Sequence, residues 1–371
     1  MREAHIAVEV TDPTTGIVGR LVIDRLVDDV ATGGIRAAPS VPLSLLRGLA
    51  RDMTLKCALL RMRCGGAKAG VEVPAGVEVR PALERFLKAV GPYARDHCLL
   101  GSDLGTSAND VNAVIRALGH WPGRKALAEK LLHTTIEEFL AVLAAELDGA
   151  SVGVMRNGWG VEGAVRAVLE RRLQQDLAGT TVAVQGFGKV GGGSALALAR
   201  GGARIMAIAD VRGTVSTRAS EGLPVLELWR AAVDGVISRD RLPPHVHADD
   251  TGVVLADVDV LVLAAIEDAI PTDLVDHVRA RAIVAGANRA VDATQSSRLE
   301  QRGIVVVPSL VGSLGTLNSL GETRSPVQVR DRIVETIRAV TCDVLARADA
   351  ERLSLDLATE AVALERYREI A

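Results

Sequence analysis

Only six of the 43 basic residues in this chain are lysines, at positions 56, 68, 88, 125, 130 and 189; the others are arginines. One of the six, Lys68, sits in the stretch RMRCGGAKAG. An amine can lose and regain a proton when its surroundings lower its pKa, whereas a guanidinium stays charged at neutral pH. A lysine in a chain that otherwise uses arginine is therefore a candidate for proton transfer, weighed against an ordinary surface lysine in a turn. GGAKAG is not a phosphate loop, because it lacks the four-residue gap and the hydroxyl after the lysine.

A second stretch, TTVAVQGFGKVGGGSALALARGGARIMAIAD, reads as strand, glycine turn, helix and strand. Gly186, Gly188 and Gly191 satisfy G-x-G-x-x-G, with Lys189 and Val190 between the last two. The first glycine makes the turn, the second lets backbone approach a pyrophosphate, and the third permits close packing of helix on strand. The unpaired N–H groups at the helix start favour the phosphates. Asp210 ends the next strand, where an acidic residue accepts hydrogen bonds from the adenine ribose, which favours NAD. Arg212 lies two residues further on and suits a 2′-phosphate, so NADP is the less favoured cofactor.

These sites need elements to carry them. At 371 residues the chain is long enough for two domains. Apolar residues make up 48% and aromatics 2%, so the cores must be built from aliphatic side chains. A net charge of −3 with no block of like charge leaves no footprint for nucleic acid or an anionic membrane surface. No apolar run approaches the ~20 residues that span a bilayer. The start shows no signal-peptide pattern, and Cys57, Cys64, Cys98 and Cys342 show neither CxxC pairing nor zinc spacing. Reduced thiols in a cytoplasmic protein are expected. His245 and His247 lack a third partner in sequence, so no metal is assigned.

The first segment reads as two β-runs joined by a turn at 12–16. TGGIRAAPSVP reads as a loop, and a helix follows from Pro42, with Leu45, Leu49, Met53 and Ala58 near one face, capped by Ser40 or Ser44 and stopped at Cys64-Gly65-Gly66. Helices are expected near 80–95, from near Thr106 or Ser107, over 122–150 and from 151. Beyond the glycine turn, VDVLVLAA, RAIVAGA and GIVVVPS are buried-strand runs alternating with helices, the mark of a parallel sheet covered on both faces.

TGGIR (32–36), MTLKCA (53–58), GGAKAG (65–70) and GSDLGT (101–106) resemble the successive signatures of the glutamate/leucine/phenylalanine/valine dehydrogenase family, and QGFGKVG, VAGAN and GIVVVPS follow in that family's order. The resemblance implies an α/β fold of two domains. Residues 1–150 would form an N-terminal substrate-binding and oligomerisation domain, and 151–325 a Rossmann dinucleotide-binding domain. The C-terminal helices, 326–371, would return to the first domain. It implies reversible oxidative deamination of an L-amino acid to its 2-oxo acid and ammonia. By resemblance Lys56 holds the substrate α-carboxylate, Lys68 is the catalytic lysine and Asp103 the catalytic acid/base, with Gly65 and Gly101 lining the cleft. Asn157 and Asn288 match positions that bond the nicotinamide amide or ribose. A homo-oligomer, dimer or higher, is expected, with hinges near 151–160 and 310–326.

The departures bear on the substrate. Glutamate enzymes of the family carry a lysine before the first GG to pair with the side-chain carboxylate, and here that place is Thr32. A buried carboxylate without a cation is costly, so an apolar or unusual amino acid is expected. Ser319 nevertheless matches the serine that glutamate enzymes use at the side-chain end. The family's N-A-G-G run has become Gly312-Ser313-Leu314-Gly315, and its threonine-glycine turn reads Arg156-Asn157-Gly158-Trp159-Gly160. Such changes leave two alternatives open: a non-catalytic NAD-binding regulatory or scaffold relative, and a reductive aminase on a specialised 2-oxo acid.

Overall fold

Exposure alternates along IAVEVT, as a half-buried strand requires, while VGRLVI is buried from Leu21 onward, and the two pair as a hairpin. The computed structural model describes residues 5–249, 252–319 and 325–371. Two compact units emerge: residues up to 139 together with 363–371, and residues 140–362.

In the first unit β1 (Ile6–Thr11) pairs antiparallel with β2 (Val18–Ile23). There follow β3 (Ala31–Ala38), α1 (Leu43–Leu59), β4 (Gly65–Glu72), α2 (Val79–Ala89), α3 (Gly91–Asp96), β5 (Cys98–Ser102), α4 (Ala108–Ala117) and α5 (Trp121–Leu132), with α6 (Ile136–Ala144) running into the second unit. The sheet order is β1-β2-β4-β3-β5, with β3 parallel to both neighbours. TGGIRAAPSVP is therefore not a loop: its first part is β3, flanked on both sides by paired strands. Helix α1 ends at Leu59, before the glycines expected to stop it. Arg61 adopts φ 51° in the turn, and Gly65 and Gly66 open a strand instead. Pro42 occupies the N-cap of α1 with no side-chain cap bond, so neither Ser40 nor Ser44 serves there. The buried face includes Leu46, Leu49 and Ala50, rotated from the expected Leu45–Met53 line.

The two faces of this sheet have different coverings. Leu21, Ile35, Ala67 and Ala69 pack with Leu83 and Phe86 of α2 and Val111 and Val114 of α4. Val22 packs with Leu46 and Ala50 of α1 on the other face. Because strand side chains alternate, Thr32, Gly34 and Arg36 of β3 and Lys68 of β4 belong to the α1 face. Cys57, Cys64 and Cys98 are buried free thiols, and burial pushes Cys98 up to about 12.

The second unit opens with a short hairpin, β6 (Glu146–Leu147) and β7 (Ala150–Ser151), then α7 (Val152–Val168). It continues through β8 (Thr181–Gln185), α8 (Lys189–Arg200), β9 (Arg204–Asp210), β10 (Gly213–Thr217), α9 (Val225–Ala231), β11 (Val246–Asp249), β12 (Val260–Leu263), β13 (Ala282–Ala285), α10 (Ala293–Gln301) and β14 (Val305–Val307). Two short helices, α11 (Ser309–Gly312) and α12 (Gly315–Asn318), precede α13 (Pro326–Glu351) and α14 (Leu355–Ile370). The seven-stranded sheet has the order β11-β10-β9-β8-β12-β13-β14. Strands β9, β8, β12, β13 and β14 are parallel, while β10 turns back antiparallel on β9 through the tight turn at Asp210–Gly213 and β11, after α9, pairs antiparallel with β10.

Helix α13 packs on α7 within this unit, and only residues 363–371 join the first. There Arg366 Nη1 donates to the Leu59 carbonyl and Arg61 pairs with Glu369 at 3.0 Å. The expected hinge at 151–160 falls mostly inside the continuous helix α7. Of the other, 310–326, residues 320–324 lie outside the described residues. Among the described residues no helix is long and apolar enough to cross a membrane.

Candidate active site

Lys68 is buried on β4, and its Nζ lies 2.7 Å from Oδ2 of Asp103, just past the end of β5. Strand β3 runs between the two, and its glycines make the meeting possible. A Cβ on Gly34 would stand 2.9 Å from Asp103 Cβ. The turn holding Asp103 is pinned by Thr106, whose Oγ1 accepts from the Asp103 N–H at 2.9 Å and donates to the Ile35 carbonyl at 2.8 Å. Arg36 on β3, not singled out from the sequence, places Nε 3.3 Å from the same Oδ2. Its signal was present as the last residue of TGGIR, but only the sheet register shows what it faces.

Burial raises the Asp103 pKa, but the charge and hydrogen bond of Lys68, and then the charge of Arg36, outweigh it and hold the carboxyl below the usual aspartate value. The lysine whose ammonium burial weakens is Lys56 on α1. Its pKa falls to about 8, with Asp52 opposing the fall and Lys68 adding to it. Thr32 is buried on β3 and spends its hydroxyl on the Leu99 carbonyl at 3.0 Å. The two glycines expected to line a cleft differ. Beside Gly101 the nearest atom to an added Cβ is the Gly33 carbonyl oxygen at 3.8 Å, so space is open there. Gly65 has the Arg25 carbonyl oxygen 1.9 Å from that position, so it serves backbone packing and does not line open space.

In the second unit the glycine turn follows β8 at the edge where β8 and β12 are neighbours and the strand order reverses, which is where doubly wound sheets bind ligands. Gly186 has φ 96°, a conformation that favours glycine. An added Cβ at Gly188 would meet nothing within 4 Å, and one at Gly191 would strike the Gly186 carbonyl oxygen at 2.0 Å. Turn, open approach and close packing thus fall on the three residues in that order. Lys189 and Val190 form the first turn of α8, with Gly188 as its N-cap. These residues fit the pyrophosphate of a nicotinamide dinucleotide.

Asp210 does not present the free carboxylate expected of a ribose acceptor. Its Oδ1 accepts from Arg212 N–H at 2.7 Å and Arg239 Nη2 at 2.9 Å, and its Oδ2 from Ile237 N–H and Arg239 Nη1, each at 2.7 Å. The side chain is 1% exposed. Burial works against its ionisation, but Arg239 and the two N–H groups outweigh it and keep its pKa low. Arg212 itself is exposed.

Asn157 lies on α7, where its Oδ1 accepts from Thr316 Oγ1 of α12. Asn288 lies in the turn following β13. Ser319, fully buried past α12, accepts from Arg156 Nη1 at 2.9 Å and donates to the Thr316 carbonyl at 2.6 Å. Gly315, in the altered run, permits these contacts. A Cβ there would lie 2.1 Å from the Arg156 carbonyl oxygen, so α12 and α7 meet backbone to backbone.

Comparison with known proteins shows what the chain as a whole is similar to. Residues 18–120 match the Glu/Leu/Phe/Val dehydrogenase dimerisation domain, and 149–367 match the Glutamate/Leucine/Phenylalanine/Valine dehydrogenase model. The NADP(+)-dependent glutamate dehydrogenase of Pyrobaculum calidifontis is 34% identical over 294 residues, 76% of this chain and 66% of that protein. The NADP-specific glutamate dehydrogenase A1 of Halobacterium salinarum is 29% identical over 90% of this chain and 81% of its own length. The hetero-hexameric glutamate dehydrogenase of Thermus thermophilus, in a Leu-bound form, superposes with a TM-score of 0.77 at 28% identity, covering 99% of this chain and 89% of that one. The L-tryptophan dehydrogenase of Nostoc punctiforme, 18% identical with a TM-score of 0.69 over 99% and 96%, shares the fold.

Proposed function

The chain belongs to the glutamate/leucine/phenylalanine/valine dehydrogenase family, amino-acid dehydrogenases that use a nicotinamide cofactor, and on that premise we propose how its own residues act. The reaction is the interconversion of an L-amino acid and its 2-oxo acid, with ammonia released or taken up. The observation that carries it is the 2.7 Å contact between buried Lys68 and Asp103. When bound, the cofactor supplies the hydride acceptor or donor. Asp103, ionised beside Lys68 and Arg36, takes a proton from the substrate ammonium so that Cα can release hydride and become an iminium carbon. Lys68 orients the water that adds to that carbon and stabilises the developing oxygen. Asp103 returns its proton to the nitrogen, Lys68 passes the proton lost as water adds on to Asp103, and the hydroxyl proton goes to the departing ammonia as the carbinolamine C–N bond breaks and the carbonyl forms. Lys56 anchors the substrate α-carboxylate.

For the cofactor we favour NADP over NAD. Asp210 is already saturated by Arg239 and two backbone N–H groups, so ribose hydroxyls meet no free carboxylate, and Arg212 stands exposed beside it. Both relatives compared above from archaea are NADP-dependent by name. The same names remove support for the apolar substrate inferred from Thr32. The scaffold alternative is disfavoured because an inert relative has no need of a buried lysine–aspartate contact. We also propose a homo-oligomer, since residues 18–120 match a dimerisation domain.

The test is oxidation of NADPH and NADH with ammonia and a panel of 2-oxo acids, run in reverse with L-amino acids. Turnover dependent on ammonia is expected, with NADPH preferred. Tight cofactor binding with no turnover across the panel would return the scaffold reading.

A further inference from the structure

Lys56 and Lys68 sit on different elements of the first unit, so a contact between α1 and β4 has to set their separation. That contact is at Gly66. A Cβ there would lie 2.2 Å from both the Ala50 carbonyl oxygen and the Thr54 nitrogen, so helix and strand meet backbone to backbone. Polar groups at a buried contact need internal partners, and one hydroxyl supplies them. Thr54, fully buried, accepts through Oγ1 from the Gly66 N–H at 3.1 Å and donates to Asp24 Oδ2 at 2.6 Å. The carbonyl of Ala50 in its own helix is further off, at 3.4 Å. Asp24, 4% exposed just past β2, returns to the same glycine, its N–H donating to the Gly66 carbonyl at 2.9 Å.

This ring of contacts is taken out of the sheet ladder. Strands β2 and β4 are paired as far as Ile23 and Ala67. At the next step the Asp24 N–H still bonds β4, but the Gly66 N–H turns to the helix. The Asp24 carboxylate also stands 3.9 Å from Arg51 Nη1 of α1 and 3.8 Å from Arg25 Nη1, so charge reinforces its hold on the helix. Asp24 and Thr54 thus tie β2, α1 and β4 at one point. Lys56 follows two residues along α1, and Lys68 two residues, ~7 Å, along β4 on the face that Gly66 turns to the helix. The Lys68 charge acts on Lys56, and like charges repel, so the elements that carry them need such a tie.

We propose that Thr54, held by Asp24, is a positioning residue for the reaction: it fixes the separation of Lys56 and Lys68, so that a substrate anchored by the first presents its Cα to the second. The proposal rests on the dehydrogenase reading for what the two lysines do, so one readout of its test needs no turnover.

Thr54→Val keeps the shape and removes the hydroxyl, Thr54→Ser keeps the hydroxyl, and Asp24→Asn keeps an oxygen for Thr54 to donate to. Each is made in the full chain and compared with wild type by hydrogen–deuterium exchange and by steady-state kinetics with NADPH, ammonia and the best 2-oxo acid. In Thr54→Val, exchange over residues 60–72 should quicken tenfold or more while that of the second unit stays unchanged, which also shows the variant is folded. Its kcat/KM for the 2-oxo acid should fall about a hundredfold, as for a misplacement near 1 Å, with NADPH affinity within twofold of wild type. Thr54→Ser should bring both readouts back to within threefold, and Asp24→Asn should keep at least a tenth of wild-type kcat/KM. Unchanged exchange in Thr54→Val overturns the proposal, as does a kcat/KM within threefold of wild type whatever the loss in melting temperature. Thr54→Ser as impaired as Thr54→Val overturns it too, since methyl packing would then be what matters. Quickened exchange in Thr54→Val with no turnover of any 2-oxo acid by wild type would remove the dehydrogenase reading and leave Thr54 as the tie that sets the lysines apart.

Discussion

Lys56 and Lys68 stand twelve positions apart in sequence, yet their surroundings differ. Lys68 has a carboxylate at 2.7 Å, which holds the two groups where a proton can be relayed. Lys56 is weakened by burial to about 8, so its ammonium exists below that pH and is lost above it. Anchoring of an α-carboxylate in the free enzyme should therefore weaken above pH 8. We expect kcat/KM for the 2-oxo acid to fall about tenfold per unit there, a limb that Lys56→Arg should remove. A flat profile from pH 7 to 10 would deny Lys56 that role. At Asp210, removing Arg239 frees two acceptor positions on the carboxylate. Arg239→Ala should shift the ratio of NADPH to NADH affinity toward NADH at least tenfold, read by fluorescence titration. Lys68 and the glycine turn were legible in residue type and spacing, and Asp103 through the family resemblance. Arg36 and Arg239 were not, since an arginine's meaning depends on what lies opposite it.

Strand β3 shows why elements were harder to read than motifs. Gly33, Gly34 and Pro39 punctuate it like a loop, and local propensity favours that reading. Tertiary pairing overrides propensity here: β4 and β5 bond it on both sides, and a Cβ at Gly33 would strike the Ala67 carbonyl oxygen at 1.8 Å. The glycines are thus a condition for the site as much as for the sheet. Gly34→Ala would push Cβ against Asp103, and a displacement near 1 Å costs on the order of a hundredfold in rate. We expect that loss in kcat with the circular dichroism spectrum retained; unchanged kcat would show that Asp103 tolerates the shift. The periodic elements β8, α8, β9 and β12–β14 were legible because buried parallel strands are short apolar runs. The antiparallel strands β10 and β11 escaped notice, because they are short and polar; β10 doubles back on β9 through the turn at Gly213, with φ 114°, and β11 joins β10 only after α9.

For the whole molecule, two α/β units were foreseeable from length and from the change in patterning past residue 150. The return of only 363–371 to the first unit was not, because α13 and α14 read alike as charged helices and only packing on α7 assigns the former. Family membership predicts a dimer or higher assembly, which light scattering on the eluted protein should show; a monomer at micromolar concentration would separate this chain from that expectation. The central claim, that Lys68 relays protons with Asp103, is tested most directly by Lys68→Arg, which keeps a positive charge and replaces the amine with a guanidinium that cannot pass a proton on. With NADPH, ammonia and the best 2-oxo acid, kcat should fall at least a thousandfold while NADPH affinity stays within twofold of wild type. Turnover within tenfold of wild type would contradict the account.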